Sequence, residues 1–442
     1  MEARRHPVRA ADVVRSVLEK LEGRSLRMPQ IPYRSAGKPR TFAAAILSAF
    51  ALALGTAAPA LAQRQRIPPP EPSTIAWVSP AAIAEMSNAI ASYRSIAQAG
   101  GWPTLPGRVT LRLGDSDANV AILRRQLAMT GDLRGGGNSY VFDDAVEAAV
   151  KRYQRRNGVE PNGIVYGITQ RILNVPAETR ARQLERNLAR MQELLPKMSA
   201  PRLVLMNSAS FELQAIAGGR VELTSRTVAG KRATPTPVIS ASIQAINLLP
   251  YWHVPSSIAR AALIPAVRKD PAYLYKEHIR VFSSFGGEEI DPALVNWWGP
   301  EAERYVFRQD FGPHNALGVM RFDMPNKQIV YMHDTPMKTL FDQHERAFSA
   351  GCVRVQNYLA LAEWVLAGQG GWTQDALAAA VAGGQRATLK PKAAVPVHFI
   401  YLTAWTENGV VQFRNDLYNR DEGTFDGGDQ ISSAPMTMSV AP

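Results

Sequence analysis

The chain has 442 residues, of which 46% are hydrophobic and 20% charged, with a formal net charge of +12. This length accommodates two or three domains with buried cores, and the hydropathy excludes a membrane protein with several spans. The basic residues do not form a run interleaved with aromatic residues, so we predict no nucleic-acid partner.

An apolar stretch, residues 41–58, follows basic residues near the N-terminus and ends in the small-residue site Ala60-Leu61-Ala62. This order is typical of a secretory signal, so we predict a signal peptide over residues 1–62. Met28 would start a signal peptide of ordinary length. The alternative is an uncleaved membrane anchor, since about 18 apolar residues can span a bilayer.

Between the signal and the middle of the chain, the pattern is helical. Residues 63–107 contain a Pro-rich linker and then a helix, and residues 108–176 contain three short amphipathic helices. Residues 177–200 predict a polar helical connector. We therefore expect a small all-α domain near the N-terminus of the exported protein.

The hydrophobic period changes from helical to alternating at Arg202. Residues 201–405 predict a mainly β domain, with a helical, lid-like insertion at about 256–298, and residues 406–442 are expected to form a C-terminal tail. The fold class predicted for the chain is therefore α+β multidomain.

The sequence has one cysteine, Cys352. An exported protein with one thiol cannot form an internal disulfide, so this cysteine is either buried and inert, paired between chains, or used chemically. No group of His, Cys and acidic residues has the spacing of metal ligands, and we predict neither a metal nor another cofactor.

The neighbours of Cys352 favour the chemical role. A thiol is a nucleophile only as thiolate, and His333 could accept its proton while a flanking carbonyl or carboxylate fixes the imidazole. Gly351 allows a backbone turn that directs amides at an oxyanion, with Ser349 in the same loop. Arg354 could bind a substrate carboxylate.

The joined pattern His333-Asp334-Thr335-Pro336 and Ser349-x-Gly351-Cys352-Val353-Arg354 resembles the active-site signature of L,D-transpeptidases with a YkuD-type catalytic domain. The helical module resembles the peptidoglycan-binding type 1 domain. Nearly the whole exported chain resembles the larger periplasmic, YcbB-like branch, in the segments Gly100–Pro103, Pro250–Trp252, Gly312–Gly318, Arg346–Ser349 and Pro396–His398.

This resemblance implies a periplasmic enzyme in which Cys352 is the nucleophile and His333 the proton donor and acceptor. Cys352 would attack the diaminopimelate–D-Ala bond of a tetrapeptide stem, release D-Ala, and pass the acyl group to a second diaminopimelate amine, forming a 3-3 crosslink. Ser349 and Gly351 would shape the oxyanion loop, and Arg354 is the family's arginine.

The expected partners are the donor and acceptor peptidoglycan stems, together with cell-wall synthesis proteins, and carbapenem β-lactams are expected to be covalent inhibitors. Tyr251 and Trp252 are candidates for stacking on the substrate, although aromatic pairs at strand ends often serve packing. Three alternatives remain open: L,D-carboxypeptidase activity, attachment of an outer-membrane protein to peptidoglycan, and non-catalytic binding to the cell wall.

Overall fold

The computed structural model describes residues 73–421. The predicted signal peptide, the linker as far as residue 72, and residues 422–442 lie outside this range. Within residues 73–421, no helix is both long enough and apolar enough to cross a bilayer.

The helical domain contains α2 (Ala118–Met129), α3 (Asp144–Arg156) and α4 (Ile168–Leu173), as the amphipathic pattern predicts. Asp117 caps α2, as expected, by accepting a hydrogen bond from the Asn119 amide. The apolar faces enclose one core, with fully buried members Leu111, Val120, Leu123, Leu127, Phe142, Val146 and Ala149. This is a self-contained domain core.

Two further helices flank the helical domain in sequence, α1 (Pro80–Gln98) before it and α5 (Ala177–Leu194) after it. They share a core with one face of the main β-sheet, so they are part of the folded body. The buried side chains of this core include Met86, Tyr93, Trp102, Leu184, Leu205, Leu402 and Trp405.

The main sheet has eleven strands. Ten of them lie in the order β14-β5-β10-β11-β13-β3-β2-β1-β15-β4, and β12 pairs with β3. Their bounds are β1 Arg202–Asn207, β2 Glu212–Ala217, β3 Arg220–Gly230, β4 Ile239–Ile243, β5 Ala245–Leu248, β10 Met320–Asp323, β11 Met332–His333, β12 Ala347–Ser349, β13 Val353–Val355, β14 Ala387–Leu389 and β15 Val395–Ile400.

One face of this sheet encloses the domain core together with two helices, α9 (Tyr358–Val365) and α10 (Gln374–Ala382). Alternation sends apolar residues to this core, among them Ile246, Leu248, Met320, Phe322, Met332, Val353 and Val355. The residues between them face the other side. That second face carries the candidate site.

The insertion is larger than its predicted range of about 256–298 and contains a sheet as well as helices. Strands β6 (Trp252–His253), β7 (Ile279–Phe282), β8 (Glu289–Ile290) and β9 (Val306–Gln309) pair in the order β6-β9-β7-β8. The helical segments are α6 Ser256–Ile258, a π turn Ala259–Leu263, α7 Ile264–Lys269 and α8 Tyr273–Lys276. The short strands lack the long alternation that makes a strand recognisable in sequence.

The stretch predicted to begin a C-terminal tail at residue 406 is folded up to the end of the described range. Strand β16 (Ala404–Glu407) pairs with β17 (Val410–Phe413) in a hairpin, and Phe413 is buried against Tyr93 of α1. Asp421 accepts a hydrogen bond from Arg190 at 2.6 Å. These contacts attach the C-terminal segment to α1 and α5.

Candidate active site

A row of polar side chains crosses four neighbouring strands of the main sheet. Asn247 on β5 is paired with Arg321 on β10, Arg321 with His333 on β11, and His333 with Arg354 on β13. Directly paired residues place their side chains on the same face of a sheet. The four side chains therefore stand side by side on the face opposite the domain core.

Cys352 lies just before β13, two residues from Arg354, and its side chain is partly accessible. The Ser349 hydroxyl fixes the preceding loop, because it donates to the Cys352 carbonyl and accepts from the Gly351 amide. Gly351 has φ +118°, a backbone conformation that side-chain-bearing residues rarely adopt. Ser349 and Gly351 thus hold the loop conformation.

His333 is 4% exposed, and its Nδ1 lies against the main-chain carbonyl of Asp334. A neutral imidazole donates from one nitrogen and accepts at the other, so donation from Nδ1 leaves Nε2 as the basic atom. This carbonyl fixes the orientation of the imidazole ring. The Asp334 carboxylate is engaged elsewhere, with the Val319 amide at 3.1 Å and with Lys338.

The electrostatics keep the resting pair neutral. Burial, reinforced by Arg354 and Arg321, lowers the pKa of His333 to about 3, although the Asp334 and Leu317 carbonyls oppose the shift. Burial also raises the pKa of the Cys352 thiol, against the influence of Tyr331, Arg354 and Arg321. At neutral pH the thiol is therefore protonated and the imidazole is free to accept a proton.

Tyr331 contacts both members of this pair. Its ring meets the His333 ring edge-on at a centroid separation of 5.8 Å, and its hydroxyl interacts with the Cys352 thiol and the Trp252 side chain. Within the described residues, no hydrogen bond joins Cys352 directly to His333. Tyr331 is packed against the core of the main sheet and also against the core of the insertion.

The remaining predicted residues fall in two places. Arg354 is 8% exposed beside Cys352, and its Nη1 contacts the Met337 sulfur at 3.6 Å. Trp252 is buried in the core of the insertion and reaches the site through Tyr331. Tyr251 is half-buried between two guanidinium groups, those of Arg308 and Arg386, at 4.3 and 4.2 Å from its ring centroid.

A polar cleft of about 710 Å³ lies away from Cys352 and His333, between the helical domain and the main sheet. Neither residue lines it. Its charged side chains come from both domains and from the C-terminal segment, and include Arg155, Glu160, Glu212, Arg226, Glu407 and Arg414. Across residues 73–421, no group of three or more His, Cys, Asp or Glu side chains is arranged to hold a metal ion.

Three site residues were not predicted from the sequence: Tyr331, Arg321 and Asn247. Tyr331 precedes His333 by two residues, directly before β11, so alternation continued by one residue places it on the same face. That signal was available in the sequence. Arg321 and Asn247 come from other strands, and only the sheet register brings them to the site.

Two family models match the chain. Residues 201–376 match the L,D-transpeptidase catalytic domain (YkuD), and residues 116–173 match a domain described as "Putative peptidoglycan binding domain". A curated protein of Haemophilus influenzae named "Putative L,D-transpeptidase" is 32% identical over 219 residues, which are 49% of this chain and 44% of that protein. The chain thus spans less than half the length of this relative.

Solved structures of L,D-transpeptidases are also similar, one from Mycobacterium smegmatis (14% identity, TM-score 0.23, 46% of this chain and 59% of that chain) and one from Stackebrandtia nassauensis (11% identity, TM-score 0.24, 67% and 96%). By the family models, the chain joins a segment similar to the peptidoglycan-binding domain, residues 116–173, to one similar to the L,D-transpeptidase catalytic domain, residues 201–376.

Proposed function

We propose that this protein is a peptidoglycan L,D-transpeptidase that forms 3-3 crosslinks in the periplasm. The observation that carries the proposal is the position of Cys352 immediately before β13, beside His333 on the parallel neighbour β11, with a glycine loop at the thiol and a carbonyl behind the imidazole. The periplasmic location rests on the signal predicted over residues 1–62.

In the first half of the reaction, the Cys352 sulfur attacks the carbonyl carbon of the diaminopimelate–D-Ala amide. The thiol proton passes to Nε2 of His333, and the main-chain amide of Cys352, directly after the Gly351 turn, stabilises the oxyanion. The amide C–N bond then breaks, and the protonated imidazole gives its proton to the leaving D-Ala amine. The product is a thioester at Cys352.

In the second half, the amine of another diaminopimelate attacks the thioester carbonyl. His333 accepts the amine proton and returns it to the Cys352 sulfur as the C–S bond breaks. The neutral resting pair suits both halves, because the same imidazole must accept and donate a proton once in each. If water attacked the thioester in place of the amine, the activity would be that of an L,D-carboxypeptidase. If a lysine of an outer-membrane protein attacked it, that protein would become attached to peptidoglycan.

The test is incubation of the purified protein with tetrapeptide muropeptides, followed by mass spectrometry. The expected products are free D-Ala and an amide-linked dimer, whose mass equals that of two stems less one D-Ala. Tripeptide monomers without dimers would show that the enzyme hydrolyses the stem and does not crosslink it. The absence of D-Ala release would contradict the proposal. The matched inactive control is Cys352→Ala.

A further inference from the structure

We infer that Arg321 and Asn247 form a carboxylate-binding subsite beside the catalytic pair, which holds a carboxylate of the stem peptide. The identity of the ligand rests on the proposed function. The existence of an anion site rests on the register and the hydrogen bonding of the sheet.

Register places Arg321 next to the base. Arg321 is paired with His333 on one side and with Asn247 on the other. Its side chain therefore lies between theirs on the face of the main sheet opposite the domain core, here called the open face. Side chains of directly paired residues start only about 5 Å apart. A ligand group bound by Arg321 would therefore be a close neighbour of the reacting centre.

Both side chains have donors that the fold does not use. The Nε of Arg321 and the Nδ2 of Asn247 are buried, and neither has a hydrogen-bond partner within the described part of the chain. Buried donors in native proteins are nearly always paired. Two unpaired donors on adjacent strands therefore indicate that an acceptor from outside the fold completes the site.

The existing contacts of the two residues orient them without filling these donors. Arg321 donates from Nη2 to Asp323 at 3.4 Å, and its guanidinium group lies 5.5 Å from the centroid of the Tyr331 ring. The Asn247 Oδ1 accepts from the Thr388 hydroxyl at 3.0 Å, which directs Nδ2 away from Thr388. The amide and guanidinium groups are thus held in place.

The chemistry of the donors selects a carboxylate. A guanidinium group binds planar carboxylates through parallel N–H donors, and the asparagine amide adds a neutral donor. The nearby Arg354 lies one strand beyond His333, and the positive charges of Arg321 and Arg354 both act on Cys352. An anionic stem, with carboxylates near the scissile amide, matches this positive face.

The first test needs no peptidoglycan. Cys352 is alkylated with iodoacetate, which carries a carboxylate, and with iodoacetamide, which carries a neutral amide in its place. The quantity measured is the alkylation rate with iodoacetate divided by the rate with iodoacetamide. The ratio cancels any change in the thiolate fraction of Cys352, because the same thiolate attacks both reagents and displaces iodide from each. We expect the ratio to exceed that of glutathione in the wild type, and to fall about fivefold in Arg321→Met.

The matched control is Arg220→Met, which removes the same charge from an exposed position on β3. The ratio in this variant should equal that of the wild type. A wild-type ratio no greater than that of glutathione, or an Arg321→Met ratio within 1.5-fold of the wild type, would overturn the anion site. The first of these outcomes rejects the site even if Arg321→Met does not fold.

The second test identifies the carboxylate. Tetrapeptide muropeptides are amidated at one carboxylate at a time, and D-Ala release is measured with the wild type and with Arg321→Met. For one of these stems, amidation should raise KM about tenfold in the wild type and have no effect in Arg321→Met. Equal losses in both proteins for every stem would show that the stem is not the ligand.

The two tests separate this inference from the proposed function. If the alkylation ratios behave as expected but no muropeptide releases D-Ala, the anion site stands and the proposed function fails. If D-Ala is released but the ratios do not respond, the proposed function stands and the subsite is rejected.

Discussion

Gln154 in the helical domain and Asn247 on the open face of the main sheet use their side-chain amides differently. Gln154, at the centre of the peptidoglycan-binding motif, donates to Asn162, Ile164 and Thr169, and its Oε1 accepts from the Gly163 amide. On the sheet, the Nδ2 of Asn247 has no partner among the described residues. The first amide is part of the scaffold, whereas the second is available to a ligand.

This difference in hydrogen bonding distinguishes a residue that stabilises the fold from a residue that is available to a ligand. A motif residue whose donors and acceptors are all used within the fold is explained by stability. A residue whose buried donors are unpaired at a reactive centre is destabilising by itself, and such a cost is typical of functional sites. The following predictions test this contrast.

The largest expected effect is that of His333→Ala on the open face. Loss of the base should lower the rate of D-Ala release by about 10³-fold, since positioned general bases contribute about 10² to 10⁴. The control is His398→Ala, which removes another buried histidine, one hydrogen-bonded to Ser240 at 2.9 Å. A loss smaller than tenfold in His333→Ala, or equal losses in both variants, would refute the assigned role.

In the helical domain, Gln154→Leu should cost about 3 kcal/mol of unfolding free energy, because it breaks several buried hydrogen bonds and leaves their partners unpaired. Urea denaturation measures this loss, followed by the fluorescence of the tryptophans in the core that α1 and α5 share with the main sheet. The rate of D-Ala release from small muropeptides should stay unchanged. A variant as stable as the wild type would show that the motif glutamine is not structural.

Acid should weaken the fold through His333. The folded pKa is about 3 against an ordinary value of 6.5, so unfolding binds a proton below pH 6.5 and stability falls as the pH drops. Between pH 7.5 and pH 5 this single group should remove about 2 kcal/mol. His333→Asn should abolish that part of the pH dependence, and identical slopes in the two proteins would contradict the neutral, buried imidazole.

The smallest effect is expected for Asn247→Leu. The substitution removes an unpaired buried donor and only one hydrogen bond, from Thr388, so the unfolding free energy should change by no more than about 1 kcal/mol. Chemical denaturation beside Gln154→Leu gives the contrast directly. A loss above 3 kcal/mol would mean that the Asn247 amide has a structural partner after all.

The sequence was sufficient to single out Cys352 and His333 as the candidate catalytic pair and to predict much of the scaffold. Cys352, Ser349 and Gly351 lie in one short segment, so their roles can be predicted from the local sequence without knowledge of the fold. Strand β1 and the helices of the small domain also follow from strong periodicity. The hairpin of β16 and β17 was missed, although Asn408-Gly409 between two apolar runs is a hairpin signal.

The subsite on the open face was beyond sequence reasoning. Asn247 and Arg321 meet because β5 pairs with β10, and residues 74 positions apart reach one row only through the tertiary register. The extent of the insertion was missed for a related reason. Its strands are two to four residues long and gain their stability from pairing with each other rather than from local pattern.

The nucleophilic role of Cys352 is the central claim, and intact-mass measurement after exposure to a carbapenem tests it most directly. The wild type should gain the mass of one carbapenem as a thioester, and Cys352→Ala should gain none while keeping its melting temperature. An adduct that persists in Cys352→Ala, or a folded wild type that gains no mass, would contradict the account.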